Sequence, residues 1–299
     1  MVILVKSFGQ LGNRLFLFAH LIANAAEHGY ALANPCFGRY ARYFVAPTSA
    51  DFEGLPVRIP VLRRAWQERL LGGLLRLVQP PRVFQALAAA IRPLPASAQP
   101  LDLLYLDDNT GTFDMHEARF VAAARQRVVL LHGWCFRDRP SFLKHAALIR
   151  RLFEPVPVHS QAVAARIATC RRTAEVLVGV HIRRGDYATF ADGQYYYDNP
   201  QYAHLMRQLL SQWSSSTRVE FLLCSDETLD LSAFEGLRVH CASGHFVEDL
   251  YALAACDYVL GPPSSFSMWS SFYGQTPLCH IHTPNQAINL ADFAVFLDQ

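Results

Sequence analysis

The chain has 299 residues, 52% of them hydrophobic and 17% charged, with a net charge of +2. That length is about two domains' worth at roughly 150 residues each, and the apolar content suffices for packed cores, which excludes a disordered chain. A nearly balanced charge supplies no field that would gather nucleic acid. The seven cysteines include no Cys-x-x-Cys pair, which argues against a disulfide framework and against structural zinc. They read as buried, reduced thiols of a cytosolic protein.

The opening Met1-Val2-Ile3-Leu4-Val5-Lys6 is too short for a signal sequence. Val2–Val5 is a continuous apolar run, as expected of a parallel strand covered on both faces. The turn Gly9-Gln10-Leu11-Gly12-Asn13 follows, and then a helical stripe of Leu15, Phe18, Ala19, Ile22 and Ala26, with Gly29 as its stop. Residues 58–92 carry the stripe Leu62, Trp66, Leu70, Leu74 and Leu77 beside seven arginines and one acid, Glu68. Such a segment either lies on an anionic membrane surface or packs on its own domain with a solvated basic face. Pro80-Pro81 is expected to break it, and Pro93, Pro95 and Pro100 mark a loop. No apolar run reaches the ~18–20 residues of a membrane span.

Val128–Leu131 reads as a strand entering His132-Gly133-Trp134-Cys135-Phe136, and Phe142–Phe153 as a helix. Glu154-Pro155-Val156-Pro157 is the expected linker, dividing the chain into domains 1–157 and 158–299. Beyond it, strands at Val176–Val180, Val219–Cys224, Leu237–Cys241, Tyr258–Leu260 and Leu278–Ile281 alternate with helices at 200–213, 247–255 and 265–273. Alternation of this kind predicts an α/β fold with a parallel sheet, whose ligands bind at the carboxyl ends of the strands.

Two of those ends carry chemistry. Val180-His181-Ile182-Arg183-Arg184-Gly185-Asp186-Tyr187 brings a buried strand directly into two arginines, whose planar donor forks match phosphate oxygens. A salt-bridged loop, with either arginine on Asp186, accounts equally well for the pattern. Gly261-Pro262-Pro263-Ser264-Ser265-Phe266 ends a strand and opens a helix, offering free N–H groups and a positive dipole end to an anion. Ser264 or Ser265 as a simple N-cap is the plainer reading, compatible with the first. No Asp-x-Asp metal clamp, Walker loop, Gly-x-Ser-x-Gly turn or His-x-x-x-His zinc spacing is present. Any phosphate leaving here would be neutralised by arginines and helix ends, and no metal ligand is assigned.

Taken in order, these segments resemble the α-1,2-fucosyltransferases of glycosyltransferase family 11. Gly9-Gln10-Leu11-Gly12-Asn13-Arg14-Leu15-Phe16 resembles the family's Gly-Gly-Leu-Gly-Asn-Gln-Met-Phe, and Gly133-Trp134-Cys135-Phe136 its Gly-Tyr-Phe-Gln. His181–Tyr187 fits its His-x-Arg-Arg-Gly-Asp-Tyr, the most specific of the set; Ser225-Asp226-Glu227, Asp249-Leu250-Tyr251 and Ser264–Trp269 are similar to three further segments. Residues 35–125 carry almost none of it. Pro263 and Met268 stand where the family has Asn and Trp, altering the expected wall of the donor site.

The resemblance implies two Rossmann-like domains facing each other across a cleft, the GT-B arrangement. It implies transfer of L-fucose from GDP-fucose, with inversion and without metal or other cofactor, to a galactoside 2-hydroxyl of a glycan acceptor. Arg184 would hold the pyrophosphate, Arg183 brace the loop, His181 line the nucleotide pocket, and Ser264, Ser265 and Phe266 contact phosphate. Asp226 would take guanine or ribose, and Gly9, Gly12 and Asn13 would close the donor site from the first domain. Asp186 is the named candidate for the base, with Glu248 and Asp249 left open beside it. Another GDP-sugar, a protein acceptor, or a non-catalytic nucleotide-sugar-binding protein are the alternatives. The expected location is the cytoplasm, with peripheral contact at the inner membrane face through 58–92 as a further reading, and no nucleic-acid partner.

Overall fold

The computed structural model describes residues 1–6, 8–60, 73, 77, 79–91, 101–106 and 111–297. The chain divides into two compact units, Met1–Val156 and Pro157–Leu297.

In the first unit, strands β1 (Val2–Leu4), β2 (Leu32–Ala33), β3 (Val57–Arg58), β4 (Leu101–Tyr105) and β6 (Val128–His132) form a parallel sheet in the order β3-β2-β1-β6-β4. A separate two-stranded ladder pairs β5 (Phe113–Asp114) with β7 (Phe136–Arg137). The helix Leu11–His28 buries Leu11, Leu15, Phe18 and Ile22 at helical spacing and closes at Gly29, whose N–H donates to Ala25 O at 2.9 Å. Phe18 sits among Phe37 and Phe153, ring centroids 5.1 and 5.7 Å away, in the fully buried centre of this unit. Only β1 and β6 are foreseen from sequence. β2 and β3, two residues each, are too short to display a period.

The helix Pro81–Ile91 begins at Pro81, a residue pre-organised for the first helical position. One reading is corrected here. Phe142–Phe153 is not one helix but two, Arg139–Lys144 and Ala146–Leu152, parted at His145, whose Nε2 pairs with Glu27 Oε2 at 2.8 Å. At the expected linker, where the two units divide, the chain is held to the first: Val45 N–H donates to Glu154 O, and Val156 N–H to Tyr43 O at 3.0 Å. Much of the basic stretch 58–92, including 61–72, lies outside the described residues; within it, Leu77 and Arg82 are exposed. No helix among the described residues is long and apolar enough to cross a membrane.

The second unit opens with a helix that the sequence does not advertise, Pro157–Arg171, which buries only Val163 and Cys170 and so has no apolar stripe. Its sheet runs β10-β9-β8-β11-β12-β13, with β8 (Val176–Ile182), β9 (Val219–Ser225), β10 (Val239–Cys241), β11 (Tyr258–Gly261) and β12 (Pro277–His280) parallel. A short antiparallel β13 (Ala294–Val295) covers the β12 edge. Val178, Val180, Ile182, Phe221 and Leu223 pack against Leu205, Met206 and Leu209 of the helix Asn199–Leu210. Burying each such side chain is worth about 1.5–3 kcal/mol. In both sheets the chain first builds outward on one side, then returns to the other: β6 beside β1, and β11 beside β8. Such reversals leave a crevice at the carboxyl ends of the two central strands.

Candidate functional site

In the second unit this crevice lies where β8 and β11 end, so His181 stands beside Gly261 and Phe266, and Arg183 and Arg184 follow on the loop leaving β8. The approach is close. A Cβ on Gly261 would meet His181 Cβ at 2.9 Å and its carbonyl oxygen at 3.0 Å, so only glycine lets the strand ends draw together. The His181 ring stacks on Phe266 at 5.0 Å and 30°. Burial first, then the Arg183 guanidinium and His280, push the His181 pKa down to about 3. The ring is therefore neutral, and its buried Nδ1 has no hydrogen-bond partner.

The two arginines have different surroundings. Arg183 is 15% exposed and ion-paired with Asp186 (2.6 Å) and Asp226 (3.4 Å), and its guanidinium lies over the Tyr187 ring at 5.5 Å. Tyr187 in turn donates to Pro263 O at 2.6 Å, tying the arginine loop to the start of the helix Ser265–Gly274. Arg184 has no carboxylate partner among the described residues. Its Nη2 bonds the neutral Asn199 Oδ1, and its Nε is buried without a partner. Half-buried and uncompensated, Arg184 is the cation that an incoming anion would find at this edge.

Asp226 is committed to the loop. Its Oδ1 accepts the Arg184 N–H at 3.2 Å, and Oδ2 faces Arg183. Glu227 Oε1 accepts the Gly185 N–H at 3.4 Å. Gly185 has φ +41°, and a Cβ there would meet Asp226 Oδ2 at 2.8 Å, so the turn needs glycine twice over. Ser264 is the N-cap, its Oγ accepting the Phe266 N–H at 3.2 Å; Ser265 and Phe266 begin the helix, both half-buried.

Asp186 is 54% exposed. Glu248 pairs with His159 at 2.9 Å. Asp249 is buried and accepts from Ser243 N–H, Ser243 Oγ and Gly244 N–H at 3.1–3.2 Å. Burial raises its pKa to about 6, and its hydrogen bonds close a loop. Trp269 is fully buried, against Phe272 at 5.4 Å.

Gly9, Gly12 and Asn13 belong to the first unit, at the end of β1 and the start of its following helix. At that sheet's own reversal, Phe8 and Trp134 stack at 5.2 Å and 6°, with the Arg137 guanidinium 5.5 Å from the Trp134 ring.

Sequence reasoning missed two groups at this sheet edge. Asn199 holds Arg184 and itself donates to Asp230 O at 3.0 Å. His280 ends β12, with its pKa lowered by burial and then by His282 to about 4, and its Nε2 is buried and unpartnered. Its position at a strand end was the available signal.

No family model matches the chain, and no curated protein does. Solved structures match over nearly all of it. Arabidopsis thaliana FUT1, a mutant in complex with GDP, aligns with 98% of this chain and 73% of its own, at TM-score 0.61 and 14% identity. The fucosyltransferase NodZ from Bradyrhizobium aligns with 95% and 96%, at 0.55 and 16%, and POFUT1 in complex with GDP with 94% and 98%, at 0.53 and 12%. At such identities the likeness is one of fold. The chain has the α/β fold of these GT-B-type proteins, with a parallel sheet in each of its two units.

Proposed function

We propose that this chain is a glycosyltransferase that takes its sugar from a GDP-sugar, fucose first among them, and belongs with the family 11 enzymes that its motifs resemble. The observation that carries the reading is Arg184, just past the end of β8: a guanidinium with a buried Nε and no carboxylate partner among the described residues, in a fold shared with proteins crystallised with GDP. The second unit then binds the donor, with His181 and Phe266 flanking the nucleotide and Ser264 and Ser265 at the phosphates. The first unit binds the glycan acceptor, for which the Phe8–Trp134 pair offers a flat apolar face.

The reaction is displacement at the anomeric carbon through an oxocarbenium-like state. The acceptor hydroxyl forms the new bond, its proton passes to a base, and GDP leaves with the electron pair. Arg184 and the helix N-terminus stabilise the growing charge on GDP; one well-placed donor contributes roughly 3–4 kcal/mol. Since that charge meets a fixed cation and no Asp-x-Asp is present, we infer that no divalent ion is needed. Asp186 serves as base, the one of the three acids with an exposed carboxylate. A galactoside 2-hydroxyl is the proposed target, reached by inversion.

Calorimetric titration with GDP, GDP-fucose, GDP-mannose and UDP-galactose in EDTA tests the donor assignment. GDP and GDP-fucose should bind and UDP-galactose should not. A folded protein that binds no guanine nucleotide would refute it.

A further inference from the structure

In the first unit, three metal-ligating side chains converge: His28, His116 and Asp138, one ligand atom of each lying within 4.8 Å of the others. Their meeting is built into the fold. The β5–β7 ladder pairs Asp114 with Arg137, and Met115 N–H continues it to Arg137 O at 2.7 Å. The residues that follow on each strand, His116 and Asp138, are thereby set side by side, with His116 Nδ1 3.5 Å from Asp138 Oδ1. The turn at His116 is fixed by its own N–H donating to Asp114 Oδ1 at 2.8 Å.

Asn24 brings in the third residue. Its Nδ2 donates to Met115 O at 3.1 Å and to Asp138 Oδ2 at 2.5 Å. His28 lies one helical turn further along the same face. The Arg125 Nε bond to His28 O, at 2.6 Å, holds this helix end. The His28 and His116 rings are 5.8 Å apart and tilted by 53°. Asp138 is fully buried, and its Oδ1 also accepts the Ser141 N–H at 3.0 Å. His28 Nε2 is buried without a hydrogen-bond partner, which a buried imidazole nitrogen does not ordinarily tolerate. Tetrahedral zinc, with bonds of ~2.0–2.2 Å to nitrogen and oxygen, holds its donors ~3.3 Å apart, close to the His116–Asp138 separation.

We propose that His28, His116 and Asp138 bind a divalent transition metal, zinc by the chemistry of the donor set, and so tie the helix Leu11–His28 to the β5–β7 ladder. Two imidazoles and a carboxylate suit zinc over magnesium or calcium. His116, 50% exposed, marks the open side, where solvent completes the coordination. The cysteines take no part, which is why their spacing gave no sign of the site.

The test uses tag-free full-length protein, stripped with chelator and titrated with Zn²⁺ against a chromophoric chelator, and in parallel with Co²⁺ followed by its visible absorption. The intact protein should take up an equivalent of zinc that raises its unfolding temperature and gives a tetrahedral Co²⁺ spectrum. His116→Ala, at an exposed position, and His28→Gln should each weaken that equivalent about tenfold or more. His159→Ala, in the second group of donors formed with His245 and Glu248, should leave it unchanged. No zinc uptake, an affinity indifferent to both His116→Ala and His28→Gln, or one lost in His159→Ala instead, would overturn the proposal.

Discussion

Arg183 and Arg184 are adjacent and chemically alike, yet their surroundings give them separate work. Arg183 is neutralised by Asp186 and Asp226 and roofed by Tyr187; among the described residues, the Arg184 guanidinium meets an amide and no carboxylate. Replacing Arg184 by alanine should therefore reduce turnover by two to three orders of magnitude, on the scale of one lost transition-state donor. Arg184→Lys should not restore it, since an ammonium lacks the fork that grips two phosphate oxygens. Steady-state kinetics with GDP-fucose decide the matter, and near-normal activity in the lysine variant would remove Arg184 from its role. The motif around these residues was legible because strand, arginine pair, glycine and acid are contiguous. Their division of labour was not, because it is set by Asp226, Asn199 and Tyr187, which only folding brings near.

The start of the helix Ser265–Gly274 joins fold and site. Ser264 caps it, and Gly261, immediately before, lets β11 press against β8. Ser264→Ala removes one side-chain acceptor from the helix end and should cost about 1 kcal/mol of stability. It should also weaken GDP by no more than about tenfold, because the backbone N–H groups that face an anion remain. A urea titration and a GDP titration on the same variant separate the two effects, and a variant matching the parent in both would show that the hydroxyl has no part in either. Elements of this kind were readable in the second unit, where strands of four to seven residues are mostly apolar and mostly buried. They were unreadable where an element is short, such as β2 and β3, or where a helix buries too little to leave a stripe, as Pro157–Arg171 does. The helix break at His145 escaped for another reason: it depends on Glu27, a residue from the opposite end of the unit.

Across the whole molecule, buried imidazole makes stability depend on pH. His181 and His280 have folded pKa values of about 3 and about 4, below the ordinary 6.5. As pH falls below 6.5, the unfolded chain takes up protons that the folded chain refuses, so stability declines until the folded values are reached. Each histidine should cost roughly 2 kcal/mol at pH 5 relative to neutral pH. Carboxylates with lowered pKa values, such as Asp257 held by Arg171 and the Leu177 N–H, lose their contribution only at lower pH. Urea midpoints at pH 7.5 and 5 should therefore converge in His280→Gln relative to the parent protein; an identical drop in both would rule out His280 as a source. The second sheet was legible from alternation, whereas the place of each edge was not, and the edges carry a consequence of their own. The second sheet ends in β13, two residues long, beyond β12, and in the three-residue β10 on its other side. So short a row of unpaired peptide groups is a poor template for a foreign strand. Shaving off Ala294–Val295 would uncover β12, whose Leu278 and Cys279 are buried, and should leave copies of the chain able to join edge to edge when concentrated.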